Sequence, residues 1–75
     1  MTWLPLESKM LTSAAYDADK EILYLRFRSG DAYRYFNFPN AQYQMFLTAE
    51  SKGHFFLAHI RNYFPFERLA KLRVA

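Results

Sequence analysis

From Glu21 to Arg28 the side chains alternate strictly, with Leu23, Leu25 and Phe27 on one side and Tyr24, Arg26 and Arg28 on the other. Period two predicts a half-buried strand. Upstream, Met10 to Asp17 alternates more loosely and stops at Asp17-Ala18-Asp19-Lys20, a run that favours a turn; it predicts a strand before the first. Downstream, Ala32 to Phe38 carries four aromatics in seven positions and stops at Pro39, which has no N–H to give a ladder. It predicts a third strand.

After Pro39 the period becomes helical. Tyr43, Phe46 and Leu47 recur at three and four, so Asn40 to Glu50 reads as a helix whose first turn starts at Pro39-Asn40. Ser51-Lys52-Gly53 breaks the run, and Ser51 is placed to cap a second helix in which Phe56, Ile60 and Tyr63 share a face beside Phe55 and His59. Phe64-Pro65 ends it. The spacing of Phe66, Leu69 and Leu72 by three points to a short basic helix or a tail over Phe66 to Ala75.

Cost decides the register between the second and third strands. A two-residue turn at Ser29-Gly30 would set Leu25 against Arg34 and turn an arginine into the apolar face, and an unpaired buried charge costs several kcal/mol. A three-residue loop, Arg28-Ser29-Gly30 with Gly30 left-handed, sets Leu25 against Tyr33 and Leu23 against Tyr35 instead. That register sends Leu23, Leu25, Phe27, Tyr33 and Tyr35 toward the helices and leaves Tyr24, Arg26, Arg28, Arg34 and Phe36 on the opposite face. The same parity sends Asn37 inward, which predicts a bulge or bend before Pro39. The expected architecture is α+β: a three-stranded antiparallel meander followed by two helices on one sheet face.

The chain has 75 residues, which predicts one domain over 1–75, its core at about 6–64 and a tail at 66–75. So short a chain buries only ~60% of its unfolded surface. Aromatics at 20% of the residues answer that deficit, each burying ~150–250 Å². There is no cysteine, so neither disulfides nor zinc–thiolate sites stabilise the fold, and a reducing compartment is the expectation. The start, Met1-Thr2-Trp3-Leu4-Pro5, has neither a basic n-region nor an apolar core, and no apolar run approaches the ~18 residues of a membrane span. A cytoplasmic protein without a membrane partner is expected.

Net charge is +3 with a pI near 9.4, which raises the prospect of a polyanionic partner. Arg26, Arg28 and Arg34 lie on the predicted hairpin, and a second basic group of Arg61, Arg68, Lys71 and Arg73 lies toward the C-terminus. Most of the acids Asp17, Asp19, Glu21 and Asp31 fall in predicted turns. For so small a charge an ordinary solvated surface is the more common outcome.

An ordered set of motifs runs from Leu6 to Tyr63. It comprises Leu6-x-Ser8, Ala15-Tyr16-Asp17, Leu23-x-Leu25-x-Phe27-x-x-Gly30, Tyr33-x-Tyr35 with Phe38-Pro39, Tyr43, Ala49-x-Ser51-x-Gly53, Phe55 or Phe56, and Ile60. In this the chain resembles the KTSC domain family, named for its occurrence at the C-terminus of some lysyl-tRNA synthetases, whose hallmark is the central Tyr-x-Tyr. Ala15 stands where the family often has glycine. The resemblance marks Gly30, Tyr33, Tyr35, Ser51 and Gly53 as structural positions, brings no catalytic residues, and through the synthetase context suggests RNA, tRNA included.

The candidate chemistry is sparse. His54 and His59, five positions apart, would point roughly 140° away from each other on a helix, unlike a metal-binding pair at i, i+4. Neither a metal nor another cofactor is expected. Ser51, Lys52 and His54 do not make a nucleophile and base, since capping accounts for Ser51 and no third orienting group is near. No enzyme is expected. Aromatics on a sheet can stack bases, but the register turns Tyr33 and Tyr35 toward the helices. Tyr24 and Phe36, among Arg26, Arg28 and Arg34, are the better stacking candidates, and Trp3 either stacks or closes the N-terminal segment over the core. Two functions fit: an RNA-binding module with phosphates on the arginines and bases on Tyr24 and Phe36, or a protein-interaction domain, most simply a homodimer, using the same face.

Overall fold

The computed structural model describes residues 1–69. Its elements are β1 (Leu4–Pro5), β2 (Leu11–Asp17), β3 (Ile22–Phe27), β4 (Ala32–Tyr35), α1 (Asn40–Thr48), α2 (Lys52–His59) and β5 (Phe66–Leu69). The strands form one antiparallel sheet in the order β1-β2-β3-β4-β5. The meander of three strands is therefore its centre, and a strand is added at each edge.

Both added strands are weak sequence signals for physical reasons. β1 is two residues long and contains Pro5, which an edge position tolerates because no ladder donor is needed there. β5 returns to β4 after both helices, with Tyr35 opposite Phe66 and Tyr33 opposite Arg68. Three of its four side chains are exposed, so burial imposes no alternation, and the helix or tail expected over Phe66 to Ala75 is a strand at Phe66–Leu69. Residues 70–75, with Lys71 and Arg73, lie outside the described residues.

The hairpin has the expected register, Leu23 opposite Tyr35 and Leu25 opposite Tyr33. Phe27 N–H donates to the Asp31 carbonyl and Gly30 N–H to the Phe27 carbonyl, which closes the Arg28-Ser29-Gly30 loop. Gly30 has φ 94, a value that side chains strain against. β4 stops at Tyr35 rather than Phe38. Asn37 takes φ 57, which asparagine tolerates better than most residues. The bend leaves Asn37 exposed and drives Phe38 fully inward, where its N–H donates to the Glu21 carbonyl.

The helices lie on one sheet face. Tyr43 and Phe46 of α1 are buried, as are Phe55 and Phe56 of α2. Ser51 caps α2 as expected, its Oγ accepting from the His54 N–H at 3.1 Å. The helix ends at His59, however. Ile60 is fully buried but Tyr63 is 66% exposed, not on the core face. The Ile60 and Arg61 N–H groups both donate to the Phe56 carbonyl, the chain turns there, and Phe64 packs edge-on against Phe38 at 4.7 Å. Leu11, Leu23, Leu25, Phe38, Phe46 and Ile60 are the largest fully buried side chains. Tyr16 joins β2 to α1: its ring stacks on Tyr43 at 4.5 Å and its hydroxyl donates to the Phe38 carbonyl at 2.5 Å. Among the described residues no helix is long and apolar enough to cross a membrane.

Candidate functional site

The face away from the helices is built by strand parity. β3 presents Tyr24 and Arg26, β4 presents Arg34, and the register sets Tyr24 opposite Arg34. The small residues flanking them complete the surface. Ala15 lies opposite Tyr24 and Ala32 opposite Arg26, and both alanines are buried, so the larger neighbours lie over them. Tyr24, Arg26, Arg34 and Phe36 are each half-buried.

Two arginine–aromatic contacts organise this face. The Arg26 guanidinium carbon sits 4.2 Å from the centre of the Trp3 ring, and that of Arg34 sits 5.2 Å from Phe36; both are within cation–π range. Trp3 meets Tyr24 edge-on at 6.2 Å. Of the two roles the sequence leaves open for Trp3, closing the N-terminal segment over the core is not the one observed. It packs on the outer sheet face beside Tyr24 and Arg26, placed there because β1 pairs with β2, Leu4 opposite Ala14.

Glu67, absent from the sequence candidates, completes the cluster. It lies opposite Arg34, and its Oε1 is 2.5 Å from Arg34 Nη2. The Tyr24 hydroxyl first, and then Glu67, push the Arg34 pKa above its ordinary value against an opposing effect of burial. The Nε of Arg34 is buried without a protein partner among the described residues. Only the β4–β5 pairing reveals Glu67, and no sequence periodicity announces that pairing. Arg26, by contrast, forms no ion pair among the described residues.

Arg28 is not part of this group. It lies beyond the last residue of β3, in the turn rather than in a strand, and its Nε donates to the Ser8 carbonyl at 2.9 Å. Of the C-terminal basic group, Arg61 and Arg68 fall among the described residues. Arg61 is exposed after α2, while Arg68 Nη2 contacts Asp31 Oδ1 at 2.7 Å.

Two sequence motifs meet beside the start of α2. The Ser8 Oγ accepts from the N–H groups of Met10 and Leu11 at 3.1 and 3.2 Å, and Gly53 comes against Ser8 and Met10. Ser51 and Ser8 are both engaged in holding backbone. His54 and His59 are exposed, and the His59 ring lies 4.8 Å from Phe55. Of the two hallmark tyrosines, Tyr35 is buried and Tyr33 half-buried, on the helix side of the sheet. Burial first, then Tyr33, push the Tyr35 pKa far up, and Arg61 opposes them.

These features define a small α+β domain whose sheet carries helices on one side only. The chain belongs to the KTSC domain family, whose model matches residues 7–64. A crystal structure of a KTSC domain protein from Yersinia pestis matches it with a TM-score of 0.89 at 32% identity, covering 92% of this chain and 97% of that one. A protein of Tsukamurella paurometabola is 41% identical over 51 residues, 68% of this chain and 76% of the relative.

Proposed function

We propose that the domain is a non-catalytic binding module that takes single-stranded RNA across the sheet face away from the helices. The observation that carries this is Arg26, a cation laid on the Trp3 ring with no acidic partner among the described residues. Such a group meets a phosphate while the rings around it, Trp3, Tyr24 and Phe36, offer stacking surface to bases. The test is fluorescence anisotropy with a labelled single-stranded RNA, and with bulk tRNA as competitor, over a range of salt. Counterion release makes affinity fall with ionic strength, and Arg26→Ala reduces the logarithmic salt slope by ~0.7. Tyr24→Ala or Phe36→Ala costs ~1–3 kcal/mol of affinity per stacked base and leaves the slope in place. Lys71→Gln with Arg73→Gln is the control for binding through the C-terminal basic residues. No salt-sensitive binding at low ionic strength ends the RNA proposal.

One observation favours the second reading, a homodimer or other protein interface on the same face. The Arg34–Glu67 pair neutralises one of the two cations of the patch, as suits a surface that meets protein rather than phosphate. Association of this kind holds or tightens as salt rises, so gel-filtration mass at two salt concentrations separates the two.

A further inference from the structure

On the helix side, between α2 and the β4–β5 pair, lies an open groove of about 410 Å³. Its walls are rings: Phe27, Tyr33, Tyr35, Phe56 and Phe66, with Arg61 beside them. Tyr33 and Tyr35 stack at 26° with centroids 6.4 Å apart, and Phe66 lies 5.8 and 5.9 Å from them. Phe66 nonetheless remains 56% exposed, and Leu57 on the facing helix 44%.

The polar groups are arranged unevenly around these rings. Neither tyrosine hydroxyl finds a hydrogen-bond partner among the described residues. Arg61 forms no ion pair among them, yet its charge reaches the Tyr35 hydroxyl. The acid of the groove, Asp31, is engaged by Arg68 and by the Ser29 hydroxyl. The groove thus presents apolar ring surface, two phenolic groups and a positive charge with no ion-pair partner among the described residues.

We infer that this groove is a second binding site, for a small ligand that joins one flat aromatic ring to one anionic group. The ring lies against Tyr33 and Phe66, the tyrosine hydroxyls bond its heteroatoms, and the anion meets Arg61. The volume is that of a site for a single small molecule, and the charge selects an anion over a neutral analogue. The site is separate from the proposed RNA face, which lies across the sheet.

The experiment follows backbone amide shifts of the full-length protein by NMR, with adenosine 5′-monophosphate and indole-3-acetate as anionic probes and adenosine and indole as their neutral counterparts. The expected result is saturable shifts at Tyr33, Leu57, Arg61 and Phe66, with the anions bound more tightly than the neutral rings. Binding of one anion but not the other assigns the ligand as phosphate or carboxylate. Arg61→Gln, in an exposed turn, weakens the anions about tenfold and leaves the neutral rings unchanged. The inference is overturned if none of the four probes shifts these residues, if the shifts fall on Tyr24, Arg26 and Arg34 instead, or if Arg61→Gln leaves the preference for anions intact.

Discussion

Arg34 on β4 and Glu67 on β5 face each other across an antiparallel pair, with 2.5 Å between Nη2 and Oε1. The carboxylate occupies the cation that would otherwise stand beside Arg26. Removing its charge tests the functional proposal from the opposite direction to an arginine deletion. Glu67→Gln is expected to tighten single-stranded RNA binding and to steepen the logarithmic salt slope by ~0.7, the increment for one additional phosphate met by Arg34. Both side chains are solvent-accessible, so the urea midpoint should barely move. An unchanged slope would show that Arg34 does not reach the nucleic acid.

Tyr35 and Tyr24 sit on adjacent central strands but opposite faces, and truncating them separates core from surface. Tyr35 is 3% exposed and packs edge-on against Phe56 at 5.8 Å, so Tyr35→Ala should cost ~3–5 kcal/mol, enough to unfold many domains of this size. Tyr24→Ala removes an edge-on packing with Trp3 and should cost about 1 kcal/mol. Urea melts of the two variants measure the difference. Equal losses would mean that a partner buries Tyr24 in solution.

The glycines make a second pair of opposites. A methyl group at Gly30 meets nothing within 4 Å, but the backbone has φ 94, so Gly30→Ala should destabilise by about 1–2 kcal/mol through conformation alone. At Gly53, in the first turn of α2, a methyl group comes no closer than 3.5 Å to Met10 Cβ and Ser8 Oγ, an ordinary van der Waals distance. Gly53→Ala should therefore stabilise by about 0.5 kcal/mol, since the unfolded chain loses freedom. Thermal melts showing the same sign for both would contradict the backbone geometry.

Three tyrosines couple stability to alkaline pH. Burial raises the Tyr35 and Tyr43 pKa values above 10.0, and burial first, then Glu21 and Asp17, raises that of Tyr16. Each raised value means that the folded state holds its proton more firmly than the unfolded state. The resulting stability is fully present below pH 10 and is lost as pH climbs through the folded-state values. Urea midpoints should be flat between neutral pH and about pH 9 and fall beyond pH 10. Spectrophotometric titration should show part of the tyrosine population ionising late. All six tyrosines ionising together near pH 10 in the folded protein would exclude the coupling.

Legibility followed where burial reaches. Leu23, Leu25 and Tyr35 have one side in the core, so alternation and the penalty for burying Arg34 settle the central register from residue types alone. The division of Tyr24, Arg26 and Arg34 from Tyr33 and Tyr35 follows from it. Glu67 and Arg68 have no such signature, because an edge strand with exposed side chains is free to carry any polar residue. Trp3 depends on a two-residue pairing, Leu4 to Ala14 and Pro5 to Ser13, too short to leave a period. Tyr63 shows the reverse error. Its spacing from Phe56 and Ile60 is helical, but α2 ends at His59 and the chain turns over Ile60 to Tyr63 before that spacing takes effect.

The lateness of β5 in the chain has a kinetic consequence. The central strands join through tight turns, whereas β5 must close a loop around both helices, Arg68 reaching an aspartate 37 positions away. Pairings of that separation form late in folding, and an edge strand with few buried side chains is among the first parts to open. When β5 detaches, Glu67 leaves Arg34 and Phe66 leaves the tyrosine pair in one step. Local opening of a single strand therefore changes the charge of one sheet face and removes a wall from the groove on the other, so amide exchange along Phe66–Leu69 reports on both surfaces at once.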